Sequence, residues 1–254
     1  MLKSKPFGIR GEISPSVVEI DEDFYYGNDK DFFVSIHDGV LEISYDKEEN
    51  NNRAHKIGMN FVYAWSFRNF KINVDFNQSW KSDLRGNKTI EISVYDSVSV
   101  KDRVITTTVV KKDMSYSIKQ KSDSYNFSND FNIVKKAEVD ETLFLVLGYF
   151  NDEVLSLNHR QVMSGTHKII EQITKYLGNG NNQTGRELLS KLAGCNKQHI
   201  DDLMTFVQNG RHSKIWLDSK RSQLLNKRQI FSISMKECIL RVKRLINAYI
   251  SFIS

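Results

Sequence analysis

The sequence predicts an α+β protein. An antiparallel β-sandwich or barrel is expected over residues 1–157, followed by a basic helical bundle over residues 158–254. Two observations predict it, and both turn near residue 157. Apolar residues alternate with period two before that point and recur every three or four residues after it. Net charge changes sign at the same place. Residues 1–157 hold 20 Lys+Arg against 25 Asp+Glu, whereas residues 158–254 hold 16 against 6. The chain of 254 residues carries a net charge of +5 as a whole, which hides the asymmetry. A basic half of this kind marks a segment that faces a polyanion or a solvated helical surface.

Each strand follows from local pattern. Phe33–Ile36 and Val40–Ile43 flank Asp38-Gly39. Asp-Gly favours positive φ at both central positions, so a tight hairpin is expected there. Phe70, Ile72, Val74 and Phe76 fall on one strand face, as do Ile90, Ile92 and Val94. Val104–Val110 is rich in β-branched residues that suit a pleated surface. Asn50–Asn52, Arg85–Asn87 and Ser128–Asp130 are polar breaks and are expected to be loops.

The helices of the second half follow in order. Leu157–Leu177 points Ile169, Ile170, Ile173 and Leu177 inward and stops at Gly178. Thr184–Leu192 is a short helix. Asn196 caps a third, with Ile200, Leu203, Met204 and Val207 inward, closed by a turn at Asn209-Gly210. In the last, Met235, Cys238, Val242, Leu245, Ile246 and Tyr249 form one stripe. Ser234 and Glu237 read as its capping box, with Ile233 as a staple. Met163, Phe206 and Tyr249 are candidates for an exposed dimer face as well as for core.

Several function classes drop out. The apolar run Leu143–Phe150 is far short of the ~20 residues that span a bilayer. Cys195 and Cys238 are too few for a disulfide framework, and with no secretory leader in the first residues the expected location is cytoplasmic. The six histidines form no His-x-x-x-His, and Cys-x-x-Cys and Gly-x-Ser-x-Gly are absent. No metal or cofactor is expected. Gly178–Gly185 precedes a helix but lacks the Gly-Lys-Ser/Thr of a phosphate loop, so it is read as a helix–helix connection. Asp21, Asp23, Asp29 and Asp31, with Tyr25 and Tyr26, fail the calcium-loop pattern and are read as a solvated acidic loop. Tyr63, Trp65 and Trp80 are read as strand aromatics, either core or the lining of a pocket in the β region for a sugar, base or other ligand.

Two Arg/His pairs remain. Arg160 and His167 are seven apart on the first long helix, hence about two turns apart on one face. Arg211 and His212 follow the Asn209-Gly210 turn. Arginine with histidine suits metal-free RNA cleavage: the imidazole takes the 2′-OH proton and the guanidinium stabilises charge gathering on phosphorus. Arg211 and His212 are the candidate catalytic pair. Arg160, His167, Lys214, Arg241 and Arg244 are candidate nucleic-acid contacts.

The order of a long helix, a short helix, a helix ending in Asn-Gly-Arg-His, a spacer and a long amphipathic last helix resembles the HEPN superfamily. The resemblance covers residues 158–254 and leaves the β region untouched. It implies an RNA-directed bundle, often a metal-independent ribonuclease of toxin or phage-defence systems, acting as a homodimer. Here the histidine directly follows Arg211, where the family spaces the two several residues apart, which makes a non-catalytic binding or sensor module the alternative.

Overall fold

The computed structural model describes residues 5–14, 22–27, 30–69, 71–82, 88–94, 103–109, 130–156, 158–211 and 234–253. The chain divides into two compact units. The first holds residues 1–62 and 72–131, and the second holds residues 63–71 and 132–254.

The first unit is built on one antiparallel sheet. Its strands are β1 (Phe7–Ser14), β2 (Glu22–Tyr26), β3 (Phe32–His37), β4 (Val40–Tyr45), β5 (Asn73–Ser82), β6 (Lys88–Val94) and β7 (Arg103–Val109). The spatial order is β2-β3-β4-β1-β5-β6-β7, with every neighbouring pair antiparallel. The β3–β4 hairpin forms as expected, because Asp38 and Gly39 take φ of 50° and 73°, the mirror-image turn that matches strand twist. A register shift between Arg10 and Glu12 of β1 puts Gly11 against the Asp75 backbone. A Cβ there would lie 2.5 Å from the Asp75 carbonyl oxygen, so only glycine fits this bulge.

The sandwich or barrel expectation is corrected. Among the described residues the sheet is single and open, with β2 and β7 at its two ends. Its apolar face is covered by a helix instead of a second sheet. That helix is α1 (Asn51–Arg68), which begins where a loop was expected at Asn50–Asn52. Its first three turns pack on the sheet: Gly58 closes on Ile43 and Phe76, and Phe61 meets Phe24 and Tyr26. The acidic segment is corrected too, since residues 22–26 form the edge strand β2. There Asp23 pairs with His37 and Tyr26 is buried. Asp21, Asp29 and the expected loop at 85–87 lie outside the described residues. So do Ser128 and Asn129.

The second unit is helical. It contains α2 (Phe131–Val139, from residue 132), α3 (Glu141–Asp152), α4 (His159–Leu177), α5 (Asn182–Leu192), α6 (Lys197–Arg211) and α7 (Met235–Phe252). Helical structure after the sheet thus starts at Phe131, upstream of residue 157. Asp140 caps α3 by accepting from the Leu143 amide, and Tyr249 of α7 donates its hydroxyl to the same carboxylate. α4 carries the expected stripe, with Ile169, Ile170 and Ile173 fully buried. Its stop differs in detail. Gly178 has φ −89°, and the left-handed residues are Asn179 and Gly180. The Gly180 amide bonds the Lys175 carbonyl and the Asn179 amide bonds that of Tyr176, the paired bonds of a Schellman ending. Gly178 is small because α5 crosses close behind it.

At α7 the Ser234 hydroxyl accepts from the Glu237 amide as expected, but the Glu237 carboxylate turns to Arg241. Ile233 lies outside the described residues. Met163 and Tyr249 are fully buried and serve the core, so neither supplies a dimer face. Tyr63, Trp65 and Trp80 are buried as well, and the first two belong to α1, not to a strand.

Candidate functional site

The helical unit places the predicted basic residues on three of its helices. Arg160 lies in the first turn of α4, which Asn158 caps by accepting from the Arg160 and Gln161 amides. Arg160 is exposed. His167, two turns further on, is held 3.6 Å from the Glu171 carboxylate, one turn along the same helix. Each of the two therefore has its own surroundings on α4, and His167 is tied to an acid.

α6 does not end at Asn209-Gly210. It runs through both residues to Arg211, so the turn expected between helix and Arg211 is corrected. Glycine is a poor helix former but is tolerated near a helix end, where little of the ladder depends on it. His212 and Lys214 lie outside the described residues.

Arg241 and Arg244 are brought together with residues that the sequence pattern did not single out. α6, α7 and the α5–α6 connection leave an open cleft of about 180 Å³. Ile200, Leu203 and Leu245 supply its apolar lining, and Cys195, His199, Glu237, Arg241 and Arg244 its polar one. The geometry follows from helix ends. α5 finishes in a second Schellman turn, in which Gly194 takes φ 56° and the Cys195 amide bonds the Ser190 carbonyl. Arg244 caps that ending: its Nε donates to the Ala193 carbonyl at 3.0 Å and its Nη2 to that of Gly194 at 3.1 Å. These are carbonyls a helix end leaves unpaired, and a cation complements them. Asn196 then caps α6 by accepting from the Gln198 amide, which sets His199 in the first turn at the cleft.

Arg241 donates from Nε to Glu237 at 2.7 Å, an i,i+4 pair. Burial raises the Cys195 thiol above its ordinary value, against a smaller lowering by Arg244. Burial likewise raises Cys238, with a lesser opposing contribution from its contact with Thr166. Both thiols are therefore held in the neutral form near pH 7. Nothing in the sequence marks Cys195 and His199 as partners of α7. Only the packing of the α5–α6 connection and the start of α6 against α7 brings them there.

The other described acids of residues 158–254 are also engaged locally. Glu187 pairs with Lys197, and Asp201 with Arg186. Asp202 accepts from the Gln198 amide group. Among the described residues no three of His, Cys, Asp and Glu come together as metal ligands do. Nor, among them, is any helix long and apolar enough to cross a membrane. Comparison with family models, with curated proteins and with solved structures finds no match to this chain.

Proposed function

We propose that the helical unit is an RNA-directed, HEPN-like module that engages the phosphate backbone with its basic helices. The observation that carries this is the excess of cations over acids in the C-terminal part of that unit, 16 against 6 in residues 158–254. The described acids there are taken up by partners on the same or a neighbouring helix. Arg160, Lys175 and Lys236 stay exposed and pair with no acid among the described residues. Lys and Arg that neutralise phosphates release condensed counterions, so such a surface binds RNA in a salt-dependent way. The helix order α4, α5, α6 and a long last helix supports the HEPN-like reading. In its catalytic form the module cleaves RNA without metal at Arg211 and His212. The imidazole accepts the 2′-OH proton, the 2′-oxygen attacks phosphorus, the arginine stabilises the charge on the phosphoryl oxygens, and the 5′-oxygen leaves with a proton.

The test is incubation of the full chain with mixed single-stranded RNA in EDTA, beside Arg211→Ala and His212→Ala. Products are read on a denaturing gel and binding by fluorescence anisotropy. EDTA-resistant cleavage lost in both variants supports the ribonuclease form. Binding without cleavage, weakened severalfold in Arg160→Ala and Lys236→Ala, supports a non-catalytic module. An absence of RNA binding at low salt rejects the reading.

A second reading is favoured by a different observation. Val139, Tyr176 and Phe252 are 86%, 51% and 49% exposed and line one shallow hollow of the helical unit. Clustered apolar exposure of this kind marks contact surfaces. It supports a protein-binding or self-associating sensor, which sedimentation of the full chain across concentration would separate from a monomeric RNA binder.

A further inference from the structure

The cleft between α6, α7 and the α5–α6 connection joins a cationic wall to an apolar floor, and a phosphate-backbone surface does not need the latter. Ile200, Leu203 and Leu245 are almost wholly buried and close its inner side. Arg244 is immobilised by two bonds to the end of α5, so its charge stands in one place. Arg241 engages Glu237 through Nε, and a guanidinium has five N–H donors, so its Nη groups retain donors. Among the described residues of the lining Glu237 is the one acid, set against the two arginines, of which Arg241 pairs with it and Arg244 faces the α5 carbonyls. His199 adds the first turn of α6, where the helix dipole also favours an anion. The neutral Cys195 thiol offers no repulsion to one.

We propose that this cleft binds a small amphiphilic anion, its compact apolar body on Ile200, Leu203 and Leu245 and its carboxylate or phosphate on the Nη groups of Arg241. Size limits the ligand. Pockets for drug-sized molecules span roughly 300–1,000 Å³. At about 180 Å³ the cleft takes a single ring or a short branched chain. Its lining holds none of Arg160, Lys175 and Lys236, the exposed cations that carry the RNA reading above.

Matched probes test the two halves of the proposal on the full chain. Benzoate and phenyl phosphate carry both features, benzyl alcohol carries only the apolar body, inorganic phosphate only the charge, and benzylamine the opposite charge. Amide chemical shifts of isotope-labelled protein give the site and the affinity. Saturable shifts around Cys195, Leu203 and Arg241 are expected with benzoate or phenyl phosphate, and the tighter of these two identifies the anionic group. Binding is expected about tenfold tighter than for benzylamine, a difference of about 1.4 kcal/mol. Arg241→Gln should remove that preference, whereas Lys236→Gln, on the same helix but outside the cleft lining, should leave it intact. Glu237→Gln should tighten binding severalfold, a gain that loss of folding cannot mimic. Equal response to benzylamine, unchanged binding in Arg241→Gln, or inorganic phosphate binding as tightly as phenyl phosphate would overturn the proposal. So would an absence of shifts at the cleft with every probe. RNA binding that survives Arg241→Gln while benzoate binding is lost would show that the two sites are distinct.

Discussion

The core under the sheet and the core between α4, α6 and α7 are of different kinds. In the sheet unit, rings from distant stretches of chain meet. Phe24 of β2 and Phe61 of α1 lie 5.2 Å apart by centroid, and Phe131 stands edge-on to both. In the helical unit Phe67 and Phe150 also meet edge-on, but between α4, α6 and α7 the core is mostly aliphatic. Ile169, Ile170 and Ile173 of α4, Leu203 and Val207 of α6, and Val242 and Ile246 of α7 are all buried. The difference shows where the information for each core is stored. An amphipathic helix announces its buried stripe within a few turns of sequence. A ring cluster joining residues 24, 61 and 131 exists only once the sheet has paired.

That contrast can be broken most directly at Phe61. Phe61→Ala removes a fully buried ring from a cluster with partners on two other segments. A loss of about 3–5 kcal/mol in denaturant unfolding is expected, as for buried aromatics generally. A loss under about 1 kcal/mol, the range of ordinary surface changes, would mean that the cluster does not close the sheet unit. In the helical unit the sensitive point is a close approach. A Cβ on Gly185 of α5 would collide with the Thr174 carbonyl of α4. Gly185→Ala is therefore expected to destabilise by about 1–3 kcal/mol, although alanine is the better helix former. Stabilisation would show that α4 and α5 can separate at little cost.

The smallest effect is a pH dependence in the sheet unit. His55 of α1 stands edge-on to Phe76, and burial lowers its pKa. The folded chain thus holds this proton less readily than the unfolded chain. The stability contribution of neutral His55 is complete above the ordinary histidine pKa of about 6.5 and declines as pH falls through the folded value. His55→Phe should flatten unfolding stability below about pH 6.5 relative to the parent. Identical pH profiles would show that His55 is solvated in both states.

Much of the architecture was legible because it is local. The Asp38-Gly39 hairpin, the α4 stripe and the Ser234 cap each follow from a handful of residues. α1 was illegible for a physical reason. From Asn60 to Phe67 every residue is buried, so no polar face exists to give the period of a helix. α3 is similar: its apolar run Leu143–Phe150 shows length but little period. Tyr63 and Trp65 were misplaced on strands as a consequence. The site divides the same way. Arg241 and Arg244 were visible as cations beside a stripe, but Arg244's role as the cap of α5 and the approach of His199 and Cys195 depend on helix crossings.

The central claim is that the basic helical unit meets a polyanion. Its most direct test is the affinity of the full chain for single-stranded RNA across a range of salt concentrations. The account predicts measurable binding at low salt that weakens steeply, with log K falling linearly in log salt by about 0.7 per phosphate neutralised. Binding that is absent at low salt, or indifferent to salt, would contradict it.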